Sequence, residues 1–178
     1  MNLIKKLIDH GIVQFGNYKL KSGIDSQIYI DLRKSISFPE IHKEICQEYS
    51  KKIQDITNTN TSNKKICGTP YGAISYTSYI SINDNIPMLF LRKEQKQYGT
   101  KKQIEGNFNK GDHVILIEDI VTSGHSVRWA ADQLQNNGLI VKKIICFFSR
   151  NNKNLYYNDI PIEYIYNLND LSCFIDLD

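Results

Sequence analysis

The sequence predicts an open α/β domain, a mainly parallel sheet with helices on both faces. Short apolar runs bounded by turn residues recur along the chain: KICG, IPMLFLR, VILIED, IICFF and PIEYIY. Segments with helical spacing alternate with them, and strands separated by helices argue for parallel pairing. The length agrees. With 178 residues, 23% charged and 41% apolar, residues 1–178 suffice for one domain with a core and hardly for two. Neither an internal repeat nor a linker is visible.

In chain order, MNLIKKLIDHG reads as an amphipathic helix carrying Leu3, Ile4, Leu7 and Ile8, stopped at Gly11. GNYKLKSG and SQIYIDLRK alternate apolar and polar residues, with Ile28, Ile30 and Leu32 on one face, which predicts a strand pair around a Ser22–Gly23 turn. Ser37, with Glu40 three residues on, has the spacing of a capping box and predicts a helix start. Ile41, Ile45 and Tyr49 then recur every four residues as its core stripe. DITNTNTSNKK is a polar connection of biased composition. After it KICG is a strand, TPYGAISYTSYIS a turn and helix, and IPMLFLR a buried strand. A polar segment from Lys93 to Glu105 precedes VILIED. A helix follows from about Gly124 to Asn137, stopped at Gly138, and IICFF and PIEYIY complete the sheet.

The chain-wide chemistry excludes several classes. A net charge of +3 is only mildly basic, which suits anionic small ligands better than nucleic acid. Cys46, Cys67, Cys146 and Cys173 are widely spaced, form no Cys-x-x-Cys pair and mostly sit among apolar neighbours, as reduced core residues do. No apolar run approaches the roughly 20 residues needed to span a membrane, and the first residues do not read as a signal peptide. A cytoplasmic protein is the expectation.

The stretch VILIEDIVTSGHSV, Val114 to Val127, carries the chemistry. In a doubly wound sheet ligands bind beyond the carboxyl ends of the strands, where Glu118 and Asp119 fall. Thr122, Ser123, Gly124 and Ser126 follow at once, so a helix starting there points its unpaired N–H groups and positive dipole end at the same crevice. That arrangement binds phosphate. Acids beside it would accept bonds from sugar hydroxyls or hold hydrated magnesium. Taken alone, the loop also fits an ordinary helix cap, and the acids a solvated strand end.

The combination of apolar strand, two acids, two apolar residues and Thr-x-Gly resembles the phosphoribosyl-diphosphate signature of type I phosphoribosyltransferases. LKSGIDSQIYIDLR (Leu20 to Arg33), GTPYGA (Gly68 to Ala73) and RKEQKQYGTKKQIEG (Arg92 to Gly106) are similar to the corresponding segments of orotate phosphoribosyltransferase. The similarity covers nearly the whole chain. It is closest to the form fused to orotidylate decarboxylase in many eukaryotes, and 178 residues are expected to hold the transferase without that second domain.

The resemblance implies the type I phosphoribosyltransferase fold, a central mainly parallel sheet flanked by helices with a small N-terminal hood. It implies transfer of ribose 5-phosphate from 5-phosphoribosyl 1-diphosphate to orotate, giving orotidine 5′-monophosphate in pyrimidine synthesis. Magnesium would be bound mainly through substrate and water, with no protein ligand. On this reading Glu118 and Asp119 contact the ribose hydroxyls, and the loop Ile120, Val121, Thr122, Ser123, Gly124, His125 and Ser126 holds the 5′-phosphate. Lys21, Tyr71, Arg92, Lys93, Lys96 and Tyr98 match positions around the diphosphate, with Lys96, Glu118 and Asp119 the catalytic set. Lys21, Tyr29, Ile30, Thr122 and Arg150 match the orotate pocket. The Lys-rich segment would act as a mobile lid closing over a neighbouring subunit's site, which implies a homodimer with shared sites.

The residues themselves agree in part. As diphosphate leaves, the ribose carbon becomes oxocarbenium-like, so carboxylates stabilise the developing cation and lysines the departing anion. Arg150 follows the strand IICFF, and a guanidinium suits a planar carboxylate. Tyr71 fits either the core or a diphosphate wall. Some residues depart from the family pattern. Tyr98 stands where many bacterial relatives carry His, Gly72 where bacterial forms often carry Lys, Gln27 where Pro is usual, and His125 in a loop of normally small residues. Two other readings stand beside the first: a phosphoribosyltransferase for another base, and a non-catalytic regulator that senses phosphoribosyl diphosphate or binds RNA with this fold.

Overall fold

The computed structural model describes residues 2–20, 23, 25–54, 63–94, 102–151 and 154–174, the side chain of Cys173 excepted. A first helix, α1 (Leu3–Asp9), buries Leu3, Ile4 and Leu7, and the Asn2 side chain caps it by accepting the Ile4 N–H at 3.1 Å. Strands β1 (Val13–Lys19) and β2 (Asp25–Ile30) then pair antiparallel as a separate two-stranded sheet, the predicted pair. Ile28 and Ile30 face the core as expected. Leu32 is also buried, but in a 3₁₀ segment, Leu32–Ser37.

That segment corrects the predicted helix start. Ser37 closes the 3₁₀ turns instead of capping a helix, and α2 (Pro39–Gln54) begins two residues later. Pro39 sets the boundary, because its fixed φ and missing N–H suit the first helical position. The predicted stripe of Ile41, Ile45 and Tyr49 is buried, and Ile53 extends it by one more turn.

The main sheet, as described, has seven strands in the order β5-β4-β3-β6-β7-β9-β8. Its parallel body is β3 (Lys64–Gly68), β4 (Met88–Leu91), β6 (His113–Val121), β7 (Ile140–Ser149) and β9 (Ile160–Asn167). Two-residue strands β5 (Ile104–Glu105) and β8 (Tyr156–Tyr157) run antiparallel at the edges. The first lies inside the segment expected to be only polar, and neither is long enough to show a period of two. The helices α3 (Ile74–Asn83) and α4 (His125–Asn136) connect the parallel strands, and a second 3₁₀ segment spans Leu168–Phe174.

Alternate residues of the central strands feed two cores, one on each face. Ile66, Ile115, Ile117, Ile145 and Phe147 join α1, α2 and α3 on one side. Cys67, Val114, Leu116, Ile144 and Cys146 join α4 on the other. The α4 residues that meet them are Val127, Ala130, Ala131 and Leu134, spaced as one helical face demands. Cys46, Cys67 and Cys146 are buried free thiols, as expected. Among the described residues no helix is long and apolar enough to cross a membrane.

The fold positions the site through the length of β6. This strand continues three residues beyond Glu118, because β7 stays paired with it as far as Val121 and Ser149. On its other side β3 ends at Gly68, opposite Ile117. Glu118 and Asp119 therefore lie within β6, where one neighbour has stopped and a crevice opens. From α2, the fully buried Tyr49 donates its hydroxyl to the Glu118 carbonyl at 2.5 Å. Tyr49→Phe should cost about 1–3 kcal/mol of stability, the usual penalty for stranding a buried acceptor. Urea unfolding measures it, and a loss below about 0.5 kcal/mol would mean the bond is dispensable.

Candidate active site

A pocket of about 550 Å³ opens at this point. Its walls include Tyr71, Gly72, Lys93, Glu118, Asp119 and Ser126, brought together from the turn after β3, the end of β4, the strand β6 and the start of α4. Sequence spacing alone placed only the last three of them together.

The two acids differ. Glu118 is buried, and its Oε2 accepts the Ser126 hydroxyl at 2.5 Å. Its Oε1 accepts the Thr69 hydroxyl, and the Asp119 N–H at 3.1 Å. Burial pushes its pKa upward, the charge of Asp119 adds to the rise, and the Ser126 and Thr69 hydroxyls oppose it. Asp119 is half-buried and turns toward the turn after β3. A Cβ built on Gly72 would lie 2.0 Å from Asp119 Oδ2, so only glycine lets the carboxylate rest there. Asp119 Oδ1 accepts the Ile120 N–H at 2.8 Å, which holds the side chain in place.

Tyr71 is 61% exposed and lies on the pocket wall, which excludes a core position. Lys93 Nζ stands 5.0 Å from the centre of its ring, a cation–π contact. The loop after β6 turns at Gly124, whose φ of 75° falls in the left-handed region, and α4 starts immediately after it. Thr122, Ser123, His125 and Ser126 are exposed on this loop, and Val121 is buried beneath it. Arg128 Nη1 braces it by donating to the Ser123 carbonyl at 2.6 Å.

Of the expected orotate residues, Tyr29 and Ile30 lie on β2 and Arg150 contacts it. Arg150, half-buried, donates through Nη2 to Ser26 Oγ at 2.7 Å and to the Ile28 carbonyl at 2.8 Å, tying the end of β7 to β2. Burial lowers its pKa. Tyr29 stacks on Tyr18 at 5.3 Å between ring centres, while Ile30 is buried in the core. Arg92 is turned away from the pocket, with Nε 2.8 Å from Glu105 Oε1. Gln27 is exposed, and nothing in the structure explains its replacing proline. Lys21, Lys96 and Tyr98 lie outside the described residues. Sequence reasoning missed Thr69 and Arg33, which also reaches the pocket, although both lie in the motifs GTPYGA and IDLR.

Residues 39–167 match the phosphoribosyl transferase domain family. The orotate phosphoribosyltransferase of Pyrococcus horikoshii is 37% identical over 148 residues, 83% of this chain and 78% of that protein. The uridine 5′-monophosphate synthase of Bos taurus is 36% identical over 98% of this chain, yet the chain spans only 36% of that protein's length. Among solved structures, UMP synthase of Leishmania donovani matches with a TM-score of 0.79 and 33% identity, over 95% of this chain and 36% of that one. Orotate phosphoribosyltransferase from Aeropyrum pernix matches over 99% of both chains with a TM-score of 0.81, and at 22% identity it attests the fold. The chain thus belongs to the phosphoribosyl transferase domain family and, within it, to the orotate phosphoribosyltransferases.

Proposed function

We propose that the protein transfers ribose 5-phosphate from 5-phosphoribosyl 1-diphosphate to orotate, releasing diphosphate and forming orotidine 5′-monophosphate for pyrimidine nucleotide synthesis. The observation that carries this reading is the open carboxylate of Asp119 in a pocket flanked by Lys93 and by the loop that starts α4. In the reaction the bond from the ribose carbon to the diphosphate oxygen breaks, its electron pair leaving with diphosphate, and a bond to an orotate ring nitrogen forms as that nitrogen's proton passes to the departing diphosphate. Asp119 offsets the positive charge that develops on the sugar. Glu118, already engaged by Thr69 and Ser126, acts chiefly by holding Ser126 toward the 5′-phosphate loop, Ile120 to Ser126. Lys93 takes the departing anion, with Lys96 and Arg92 joining from the lid segment, while Tyr71 forms the wall and Lys21 and Tyr98 complete the diphosphate side. Lys21, Tyr29, Ile30, Thr122 and Arg150 form the orotate side.

No three His, Cys, Asp or Glu side chains converge on a cation position among the described residues. One open carboxylate beside a diphosphate pocket fits a magnesium ion that arrives with its substrate, and Asp119 would hold that ion through water. Magnesium, when bound, neutralises charge on the diphosphate. A homodimer with the lid of one subunit over the other's site belongs to the same reading, and sedimentation at twice the 20.6 kDa chain mass checks it. The cytosol, which keeps thiols such as Cys46, Cys67 and Cys146 reduced, is the compartment that suits it.

Loss of orotate absorbance in the presence of phosphoribosyl diphosphate and magnesium tests the proposal, with uracil, hypoxanthine and adenine as rival bases. Turnover of a rival base alone would overturn it. Asp119→Asn, which keeps the shape and removes the charge, should lower kcat roughly ten- to a thousandfold. Arg150→Ala should raise the KM for orotate far more than that for phosphoribosyl diphosphate, since only orotate carries the carboxylate it would clamp. Equal effects on both substrates would exclude the clamp.

The raised pKa of Glu118 also sets a pH dependence. A carboxyl that holds its proton more tightly folded than unfolded adds stability that is fully present below its unfolded value, ordinarily 4.5. That contribution is lost as pH rises through the raised folded value. Stability should therefore fall as pH climbs above the ordinary carboxyl range, and Glu118→Gln should flatten the slope in urea titrations taken across it.

A further inference from the structure

Arg33 reaches the same pocket from the 3₁₀ segment that follows β2. Its Nε donates to Asp31 Oδ1 at 3.1 Å, and Asp31 is the more buried of the pair, 20% against 66% exposed. Asp31 thus acts as a peg that fixes the direction of the guanidinium. The two terminal nitrogens of Arg33 donate to nothing among the described residues. Arg33 and Lys93 are the cationic side chains on this pocket's lining.

The two acids divide the pocket. Glu118 turns to Ser126 and the loop before α4. Asp119 turns to Gly72, and its charge is felt by Arg33. Residue 72 offers no side chain, and the place a Cβ would take is filled by the Asp119 carboxylate. A cation needed on this side must come from another element, and Arg33 is the residue that supplies one. A guanidinium pegged at Nε still presents its terminal N–H groups, the fork that matches phosphate oxygens.

We propose that Arg33 is a diphosphate-binding residue, which with Lys93 holds the diphosphate of 5-phosphoribosyl 1-diphosphate on the Gly72 side of the pocket. This rests on the proposed reaction and adds to it a residue of the binding set. Before substrate arrives, Asp31 and Asp119 balance the charge of Arg33. Once the diphosphate binds, its oxygens take up the free terminal N–H groups of Arg33, and the Asp119 carboxylate faces the sugar.

Titration calorimetry with inorganic diphosphate plus magnesium, and separately with ribose 5-phosphate, tests the proposal on the whole chain and its Arg33→Gln and Arg33→Lys variants. Arg33→Gln should weaken diphosphate binding about ten- to a hundredfold, the worth of one or two charge-assisted bonds. Ribose 5-phosphate should bind within about twofold of the unmodified chain, and Arg33→Lys should recover part of the loss. In turnover the KM for phosphoribosyl diphosphate should rise with that for orotate unchanged. If the unmodified chain turns over orotate while Arg33→Gln binds diphosphate as it does, the assignment of Arg33 fails alone. Equal weakening of both ligands would make Arg33 a structural residue and overturn the assignment too. If the unmodified chain binds no diphosphate and turns over no base, the proposed reaction itself fails.

Discussion

The buried carboxyl of Glu118 is the constraint on which the site depends. Removing a carboxyl from water is costly unless its oxygens find partners, and here they come from separate elements. Thr69 lies just past the end of β3, Ser126 in the first turn of α4, and Tyr49 of α2 takes up the backbone carbonyl of the same residue. Satisfying one residue, side chain and backbone carbonyl together, therefore brings a strand end, a helix start and a covering helix to one place. The crevice is what remains between them. Because β3 stops opposite Ile117 while β7 runs on with β6, the gap falls beside the acids.

Neighbouring positions on one strand face opposite sides, and this turns two like residues into two different groups. Glu118 is consumed by structure, whereas Asp119 keeps an oxygen over Gly72 at the pocket. A charge fixed beforehand in a half-buried place needs no rearrangement when positive charge develops near it, which is the economical way to lower a barrier. Arg150 fills a comparable place toward the two-stranded sheet. Its Nη2 holds Ser26 and the Ile28 carbonyl, so the two-stranded sheet is fastened by the residue expected to meet the base.

The body of the fold was legible because buried parallel strands are apolar on both faces and stand out as runs. VILIED, IICFF and KICG fall inside β6, β7 and β3, but β6 and β7 extend further, since a partner strand can continue pairing through residues with no apolar pattern. LRKSIS has no helical period, and Ser37 with Glu40 imitates a capping box that Phe38 and Pro39 separate from the helix proper. In the site, Glu118, Asp119 and Ser126 could be read from one short stretch, and Tyr71 and Lys93 from family motifs. Thr69 and Arg33 could not be singled out, because their roles arise from contacts between distant segments. Gly72 looked like a missing lysine in the sequence, and in space the Asp119 carboxylate occupies the room beside it.

The two-residue strands at the sheet margins bear on behaviour in crowded solution. A long parallel sheet ends in a row of unpaired N–H and C=O groups, which invites a second chain to add itself. Here each margin is a strand of two residues running against the rest, β5 on one side and β8 on the other. β5 covers Phe90 and Leu91 of β4, and β8 covers Ile160 and Pro161 of β9, so each blunts part of its margin. On the β8 side the Tyr157 hydroxyl also bonds Asp132 and Gln135 of α4, which fastens the short strand to a helix. Short antiparallel strands at both margins thus interrupt the row of groups with which a second chain could pair.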